Sequence, residues 1–274
     1  MSSRDPFQSY TWHSDIFSCQ SNDISSFSAR LAEQASRLGL QARKLGDAGP
    51  HPLELYQSPA QKADQPSILI SAGFHGEEAA GPWGLLYFLN ELEPELFSQI
   101  NLSLLPLVNP TGFKRGHRFN KLGQNPNRGF VLENGRGVSN QDTSSEGEIL
   151  LAHSQLMAAA SKDGILTCHE DVLLTDTYIY SFEANQHPGQ FSRELRDALG
   201  HYFPIAQDGL IDDCPVKDGI IFNHFDLSFE AFLVRLGASV GVCSETPGQQ
   251  GFDQRILANA AIIKRFVELS LARR

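Results

Sequence analysis

The sequence has no apolar run long enough to span a membrane and no cluster of basic residues. A transmembrane helix needs about 20 consecutive apolar residues. Lysine and arginine together number 22 against 32 aspartates and glutamates, which gives a net charge of −10. Nucleic acids and anionic membrane surfaces bind clustered basic side chains. We therefore expect neither of them as a partner of this chain.

Cysteine is also scarce. The four cysteines, Cys19, Cys168, Cys214 and Cys243, are far apart in the sequence and form no CxxC pair. Cys168 and Cys243 lie in apolar runs typical of buried strands, where cysteine behaves as a small hydrophobic residue. A disulfide framework is not expected in such a chain. The first residues do not resemble a secretory signal, and we expect a cytoplasmic protein.

Short apolar runs alternate with helical patterns through most of the chain. Strands are predicted at 53–56, 67–74, 100–108, 164–168, 178–182 and 238–245, and helices at 24–38, 78–92, 146–160, 228–236 and 252–270. Thr143 and Glu146 fit a capping box before the helix at 146–160. The alternation predicts one α/β domain with three α/β/α layers and a mostly parallel or mixed twisted sheet. Residues 1–49 form a lead-in with one helix, and about 50–270 form the core.

Four polar residues follow or end predicted strands: His75, Asn109, His169 and Glu245. Ligand sites in such sheets collect at the carboxyl ends of the strands, so we expect these side chains to converge on one crevice. His75 and Glu78 form an HxxE arrangement at the start of a helix, and His169 is the best candidate for a third ligand. Catalytic zinc sites use three such ligands and leave a fourth position open. An HxxE pair alone is weak evidence, because it often occurs by chance.

The polar stretch 109–130, NPTGFKRGHRFNKLGQNPNRGF, carries a family resemblance. It resembles the zinc carboxypeptidase family (M14-type), especially the bacterial branch that includes murein peptide amidases. That family has an NPDG turn, an R-x-N step and a G-x-D-x-N-R-x-F segment, which match 109–112, 118–120 and 123–130. The Ser-Glu-Gly-Glu at 145–148 and the SETPG around Glu245 follow in the family's order. The resemblance covers roughly residues 50–270 and implies the carboxypeptidase-like fold.

The resemblance also implies the roles of the site residues. His75, Glu78 and His169 would bind Zn²⁺. Glu245 would be the general base and then the general acid, and Arg118 would stabilise the oxyanion, with Arg115 as the second choice. Asn127 and Arg128 would bind the free carboxylate of a small peptide or peptide-like substrate.

Other residues lie near these motifs. Asn125 stands where the family often has an aspartate that supports the first zinc-binding histidine. We interpret four neighbours as supporting or solvated residues, with Glu170 or Asp171 as possible partners of a ligating histidine: Glu77, His117, Glu170 and Asp171. The tyrosine that many animal carboxypeptidases place near the substrate is not assigned here, because Tyr178 and Tyr180 lie close to His169 in the sequence. The segment 205–237 is expected to build the specificity pocket, and its acidic residues are Asp212, Asp213, Asp218 and Asp226.

Three functions remain open from the sequence. The first is a metallopeptidase that hydrolyses a peptide amide bond next to a free carboxylate, as a carboxypeptidase or a small-peptide amidase. The second is a zinc deacylase of N-acyl amino acids, like aspartoacylases and succinylglutamate desuccinylases, which share the zinc core. The third is a family member without catalysis that binds a ligand. The sequence does not indicate the oligomeric state.

Overall fold

An eight-stranded mixed sheet forms the centre of the computed structural model, which describes residues 21–273. The strands are β1 Gln41–Ala48, β2 His51–Gln57, β3 Ser67–Ala72, β4 Asn101–Leu105, β5 Val131–Glu133, β6 Arg136–Val138, β7 Gly164–Asp171, β8 Tyr178–Phe182, β9 Gly209–Ile211, β10 Cys214–Val216, β11 Ile220–Phe222 and β12 Gly241–Pro247. The order across the large sheet is β1-β2-β4-β3-β7-β12-β8-β11, and the pairs β5–β6 and β9–β10 are separate hairpins.

Helices cover both faces of the sheet. They are α1 Ile24–Leu38, α2 Ala80–Glu91, α3 Pro110–Phe113, α4 Ser145–Ala152, α5 Ser154–Ala160, α6 Gln190–Gly200, α7 Phe229–Arg235 and α8 Phe252–Ala272. One apolar cluster joins α1, α2, α6 and α8 to the sheet, and a second joins α4, α5 and α7 to its other face. The predicted three-layer α/β/α class with a mixed sheet is therefore confirmed.

The four central strands bring the candidate site together. β4, β3, β7 and β12 are mutually parallel, so their carboxyl ends lie at one edge of the sheet. β8 runs antiparallel to β12 and therefore begins at that same edge. In the ladders of β12, Glu245 is the register partner of His169 on one side and of Tyr178 on the other. The topology thus explains why residues far apart in the sequence are neighbours here.

Several predicted boundaries were wrong. The strands predicted at 164–168 and 238–245 extend to Asp171 and Pro247, so His169 and Glu245 lie within strands. The helix predicted at 146–160 is two helices that meet at His153. The predicted lead-in contains β1, and the long loop at 109–143 contains α3 and the β5–β6 hairpin. Helix α6 and strands β9, β10 and β11 were not predicted from the sequence.

The predicted capping box before α4 does not form. Ser144 is the N-cap residue, and its Oγ accepts a hydrogen bond of 2.9 Å from the Gly147 N–H. Thr143 instead donates to the Gly129 carbonyl. Glu146 accepts a 2.6 Å hydrogen bond from the side-chain amide of Asn120. Both residues therefore hold the long polar loop in place and do not satisfy the amides of the helix.

Cys168, Cys214 and Cys243 are free and buried, as the sequence predicted, whereas Cys19 lies outside the described residues. Burial raises the pKa of the Cys168 thiol to about 12, which makes a reactive thiolate unfavourable there. Within 21–273, no helix has the length and the apolar character needed to cross a membrane.

Candidate metal centre

The turn after β3 places His75 and Glu78 side by side. The Glu78 N–H donates to the His75 carbonyl at 3.2 Å, which closes the turn. Gly76 packs directly on the turn at 109–112, because a Cβ at this position would lie 1.9 Å from the carbonyl carbon of Gly112. Asn109 caps that second turn through the Gly112 N–H and donates to the Phe74 carbonyl at 3.1 Å. Asn109 therefore has a structural role at the site.

A buried carboxylate fixes the start of α2, two residues after Glu78. The Ala80 N–H donates to Glu170 Oε1 at 2.7 Å. The N-cap residue, Ala79, has no side chain that could accept this hydrogen bond. Glu170 also forms an ion pair with Arg255 of α8. Successive side chains of a strand point to opposite faces, so Glu170 cannot face the crevice with His169. Glu170 therefore ties the strand of His169 to the helix of Glu78.

Three buried side chains could hold a metal ion. His75 Nδ1 lies 2.6 Å from Glu78 Oε1, and His169 Nδ1 lies 2.8 Å from Glu78 Oε2. One ligand atom from each residue fits within a span of 4.8 Å, and the described chain has no other group of three that does so. All three residues are at most 5% exposed. Two imidazole nitrogens and a carboxylate that share a buried position are a donor set that fits a zinc ion.

In both histidine rings, the nitrogen that does not face Glu78 contacts an asparagine side chain. His75 Nε2 lies 3.0 Å from Asn125 Oδ1, and His169 Nε2 lies 3.2 Å from Asn127 Nδ2. Such partners fix the orientation of a ligating histidine. The expectation that Glu170 or Asp171 might do this was wrong, because Glu170 points away and Asp171 accepts from the Tyr178 hydroxyl. Asn125 keeps the contact expected of an aspartate, but without its charge.

Burial and neighbouring charges shift the pKa values of Glu78, His169 and Glu245. Burial alone would raise the pKa of Glu78, but the two histidines hold it well below its ordinary value. Burial alone would lower the pKa of His169, but Glu78 raises it to about 9. For Glu245, burial raises the pKa to about 8, although His169 acts in the opposite direction. The Glu78 carboxylate and the two histidines therefore form a compact network of hydrogen bonds.

The structure brings Arg118 and Glu245 to this network. Arg118 Nη1 lies 3.2 Å from Glu78 Oε1 and 3.6 Å from Glu77 Oε1. Glu245 lies beside His169 in the ladder, and the Cys243 thiol is 3.7 Å from its Oε1. Arg115 and His117 are exposed, on the solvent side of the same loop. The R-x-N register therefore selected the arginine that reaches the metal ligands.

Asn127 and Arg128 lie next to the centre but are already engaged. Asn127 Oδ1 accepts a hydrogen bond of 2.9 Å from the Phe229 N–H, and Asn127 Nδ2 faces His169. Arg128 Nη1 forms an ion pair of 2.9 Å with Asp226 and keeps a half-exposed side chain. Asn127 is buried, so Arg128 is the member of this pair that offers donors to the solvent side.

Three of the four acidic residues proposed for a specificity pocket have local roles. Asp212 and Asp213 form the β9–β10 turn with positive φ angles of 48° and 61°. Asp218 forms an ion pair with Arg196. Asp226 contacts the site, through Arg128. Glu230, a buried residue of α7, was not predicted at the site; its Oε2 lies 3.4 Å from Asn127 Nδ2. A glutamate in the first turn of a helix is usually solvated, so no sequence signal marked it.

Comparisons with known proteins agree with this geometry. The sequence profile of the succinylglutamate desuccinylase/aspartoacylase catalytic domain matches residues 64–199. The chain is 66% identical to a candidate metallopeptidase of Shewanella amazonensis, with a TM-score of 0.92 over 96% of this chain and 98% of that one. A candidate metallopeptidase of Shewanella denitrificans is 61% identical, with a TM-score of 0.88 and 98% of each chain covered. Among curated proteins, none matches the sequence.

A more distant structure shares the fold. Carboxypeptidase A of Helicoverpa armigera has a TM-score of 0.68 at 16% identity, over 91% of this chain and 73% of that one. At this level of identity the similarity concerns the architecture alone.

Proposed function

The chain belongs to the zinc-carboxypeptidase-like family of metallopeptidases, and we propose that it is a zinc-dependent hydrolase of the peptide amide bond next to a free carboxylate. The observation that carries the proposal is the buried group of His75, Glu78 and His169 with Arg118 and Glu245 beside it. These residues supply the metal ligands, a cation and a proton carrier at one strand edge. Arg128, which is exposed next to Asn127, can bind a carboxylate.

The residues divide the chemistry between them. A zinc ion bound by His75, Glu78 and His169 would lower the pKa of a water molecule and polarise the scissile carbonyl. Glu245 takes the proton of the attacking water and returns it to the leaving amine. The burial that raises the pKa of Glu245 to about 8 also makes its carboxylate a stronger base. Arg118 places a fixed positive charge near the negative charge that develops on the carbonyl oxygen.

A substrate panel tests this function against the deacylase alternative, which the matching family profile favours. The panel contains acetylated dipeptides with a free carboxyl terminus and N-acetyl and N-succinyl amino acids. We expect hydrolysis of the dipeptides by zinc-loaded protein, loss of activity after chelation, and recovery with zinc. Hydrolysis of the N-acyl amino acids alone would assign the chain to the deacylases. No hydrolysis of either class by loaded protein would contradict both functions.

Replacement of the carboxylate-binding arginine is expected to act on substrate binding. Arg128 carries a half-exposed guanidinium beside the centre, and charge-assisted bidentate hydrogen bonds to a carboxylate are among the strongest available. In Arg128→Met, we expect kcat/KM for a free dipeptide to fall by about 10- to 100-fold, mainly through KM, because a hydrogen bond to a charged group contributes about 1.5–3 kcal/mol. An equal loss with the carboxyl-terminal amide of the same dipeptide would contradict the role, because that substrate has no carboxylate to bind.

The stabilisation by zinc is expected to depend on pH. His169 has its pKa raised from 6.5 to about 9 in the metal-free protein. A raised pKa adds stability that is complete below 6.5 and is lost as the pH rises through about 9. Zinc binds only the unprotonated imidazole. The difference in Tm between zinc-loaded and metal-free protein should therefore widen from pH 6.5 to 9 at constant free zinc. A difference that narrows over this range would contradict the assignment of His169.

A further inference from the structure

Two hydrogen bonds join the ligand Glu78 and the start of its helix to the neighbouring strand. The Glu170 N–H donates to Glu78 Oε2 at 3.3 Å, and the Ala80 N–H donates to Glu170 Oε1 at 2.7 Å. One residue of β7 therefore holds both the ligand carboxylate and the first residue of α2. All three residues are at most 2% exposed. The direction of the Glu78 carboxylate thus depends on the position of Glu170.

Arg255 of α8 holds the other oxygen of the Glu170 carboxylate. Its Nη1 forms an ion pair with Glu170 Oε2, whereas Oε1 accepts from Ala80. Arg255 Nε donates to the Gln250 carbonyl at 3.1 Å, and the guanidinium carbon lies 5.3 Å from the centre of the Phe252 ring. The arginine side chain is 14% exposed. Arg255 is therefore fixed by contacts at the start of α8, and it fixes the Glu170 carboxylate in turn.

The same contacts reach the strand of the proposed base. Thr246 follows Glu245 on β12 and is the register partner of Glu170. Its hydroxyl accepts a 3.2 Å hydrogen bond from Asn259 Nδ2, which also donates to the Arg255 carbonyl at 2.9 Å. Successive side chains of a strand point to opposite faces, so Thr246 lies behind the sheet and Glu245 faces the crevice. Helix α8 thus contacts the neighbour of the base as well as the neighbour of a metal ligand.

Two glycines bring α2 into direct contact with the strand and the helix that carry this network. A Cβ at Gly81 would lie 2.9 Å from the Cys168 carbonyl oxygen, and a Cβ at Gly84 would lie 2.4 Å from Asn259 Cβ. Packing this close transmits small displacements. A shift of Glu170 would therefore move the first turn of α2, and with it the turn that carries Glu78.

The buried ion pair contributes direction more than stability. Two charges lose their hydration when they are buried, and this loss offsets most of their attraction. A guanidinium and a carboxylate nevertheless fix each other's orientation, because their hydrogen bonds are strongly directional. Within residues 21–273, no other arginine or lysine forms an ion pair with Glu170. Arg255 is thus the cation of that part of the chain that orients this carboxylate.

We propose that Arg255 is a positioning residue of the metal centre: acting through Glu170, it holds the Glu78 carboxylate in the direction that binds the metal ion. This rests on the proposed function, which supplies the metal ion. It gives a role in metal binding to a side chain on the opposite face of the sheet from the ligands. Without the guanidinium, the Glu170 carboxylate can turn and weaken its hold on Ala80.

The test replaces Arg255 with methionine, which is unbranched and uncharged. Zinc affinity is measured on metal-free protein by competition with a chromogenic chelator. In Arg255→Met, we expect the Kd of zinc to rise by about 10-fold and kcat for a dipeptide to fall by about 10-fold, with KM little changed, because partners beyond the ligands change metal affinity or activity by about 10- to 100-fold. Arg255→Lys keeps the positive charge and should recover part of both losses.

Arg265→Met is the matched control. Arg265 lies on the same helix and also forms an ion pair with another helix, through Glu194 of α6. Its loss weakens the packing of α8 and leaves the contacts of Glu170 in place, so zinc affinity and kcat should stay at the wild-type level. The visible absorption of cobalt-loaded protein depends on the arrangement of the ligands. It should change in Arg255→Met and stay the same in Arg265→Met.

Two outcomes would overturn the inference. One is wild-type zinc affinity in Arg255→Met. The other is an equal loss in Arg255→Met and Arg265→Met, because looser packing of α8 would then explain both. If Arg255→Met does not fold, the double variant Glu170→Gln/Arg255→Met removes both charges and keeps an acceptor for the Ala80 N–H. It should show the same weakening, and wild-type zinc affinity in the double variant would count equally against Arg255.

Amide hydrogen exchange separates this inference from the proposed function. If the wild-type chain binds no zinc, the proposed function fails, and exchange in the metal-free protein still tests the contact. The segment 76–82 should exchange faster in Arg255→Met than in the wild-type chain or Arg265→Met, because the Ala80 N–H loses its fixed acceptor. Equal exchange in all three chains would overturn the inference whatever the zinc content.

Discussion

Replacement of Glu245 with glutamine is expected to lower kcat by about 10²–10⁴ and to leave the bound metal in place. Glutamine is nearly isosteric with glutamate but cannot accept the proton of the attacking water. Glu245 is not one of the three clustered ligands, and its strand is held by the ladder to β7. The variant should therefore fold and bind zinc as the wild-type chain does. The measurement is kcat for a dipeptide substrate, with zinc content determined on the same sample.

The outcome of Glu245→Gln separates two roles for this residue. A loss of kcat with unchanged zinc content and little change in KM supports a role in proton transfer. Unchanged kcat would remove Glu245 from the mechanism. If zinc is lost together with activity, Glu245 supports the metal site and the proton carrier has to be found elsewhere. Glu148→Gln, which changes an exposed glutamate on α4, controls for the loss of one negative charge.

His169→Ala is expected to abolish both metal binding and hydrolysis. His169 is 2% exposed and places its Nδ1 on the same carboxylate as His75 does. Without it, two protein ligands remain, which is fewer than the three of catalytic zinc sites. We expect about one zinc per chain in the wild-type protein, almost none in the variant, and activity at the level of the assay background. The measurement is elemental analysis of protein purified without chelators.

Controls make this result specific to the site. His187→Ala removes an exposed histidine and should leave zinc content and kcat unchanged. Addition of zinc should raise the Tm of the wild-type chain and leave that of His169→Ala unchanged, because only a chain that binds zinc gains stability from it. A variant that keeps one zinc per chain, or keeps activity, would contradict the proposed ligand set.

The sequence was sufficient for much of the site because the relevant side chains stand at strand ends. His75 follows an apolar run typical of a buried strand, and His169 and Glu245 lie near the ends of two others; parallel strands bring their carboxyl ends to one edge. The family-like loop then gave the register that distinguishes Arg118 from Arg115. Both predictions could be made without knowing distances, because the order of the parallel strands brings these residues together.

Other features depend on tertiary contacts that leave no local pattern. β1 is an edge strand with mostly exposed residues, so it lacks the alternation that marks a half-buried strand. Glu170 and Glu230 look like ordinary solvated glutamates in the sequence, and only the packing of α2, α7 and α8 shows that they are buried. The partners of the histidine rings proved to be Asn125 and Asn127, which the loop brings back to the sheet edge from 50 and 42 residues away.

The location of the metal ion in a crystal tests the central claim most directly. Anomalous difference maps recorded on both sides of the zinc absorption edge would identify and place the ion in one experiment. We predict one zinc peak per chain, at about 2.0–2.1 Å from a ring nitrogen of each of His75 and His169 and within about 2.2 Å of a Glu78 oxygen. A zinc peak bound to other residues, or crystals soaked in zinc that show no peak at these three ligands, would contradict the account.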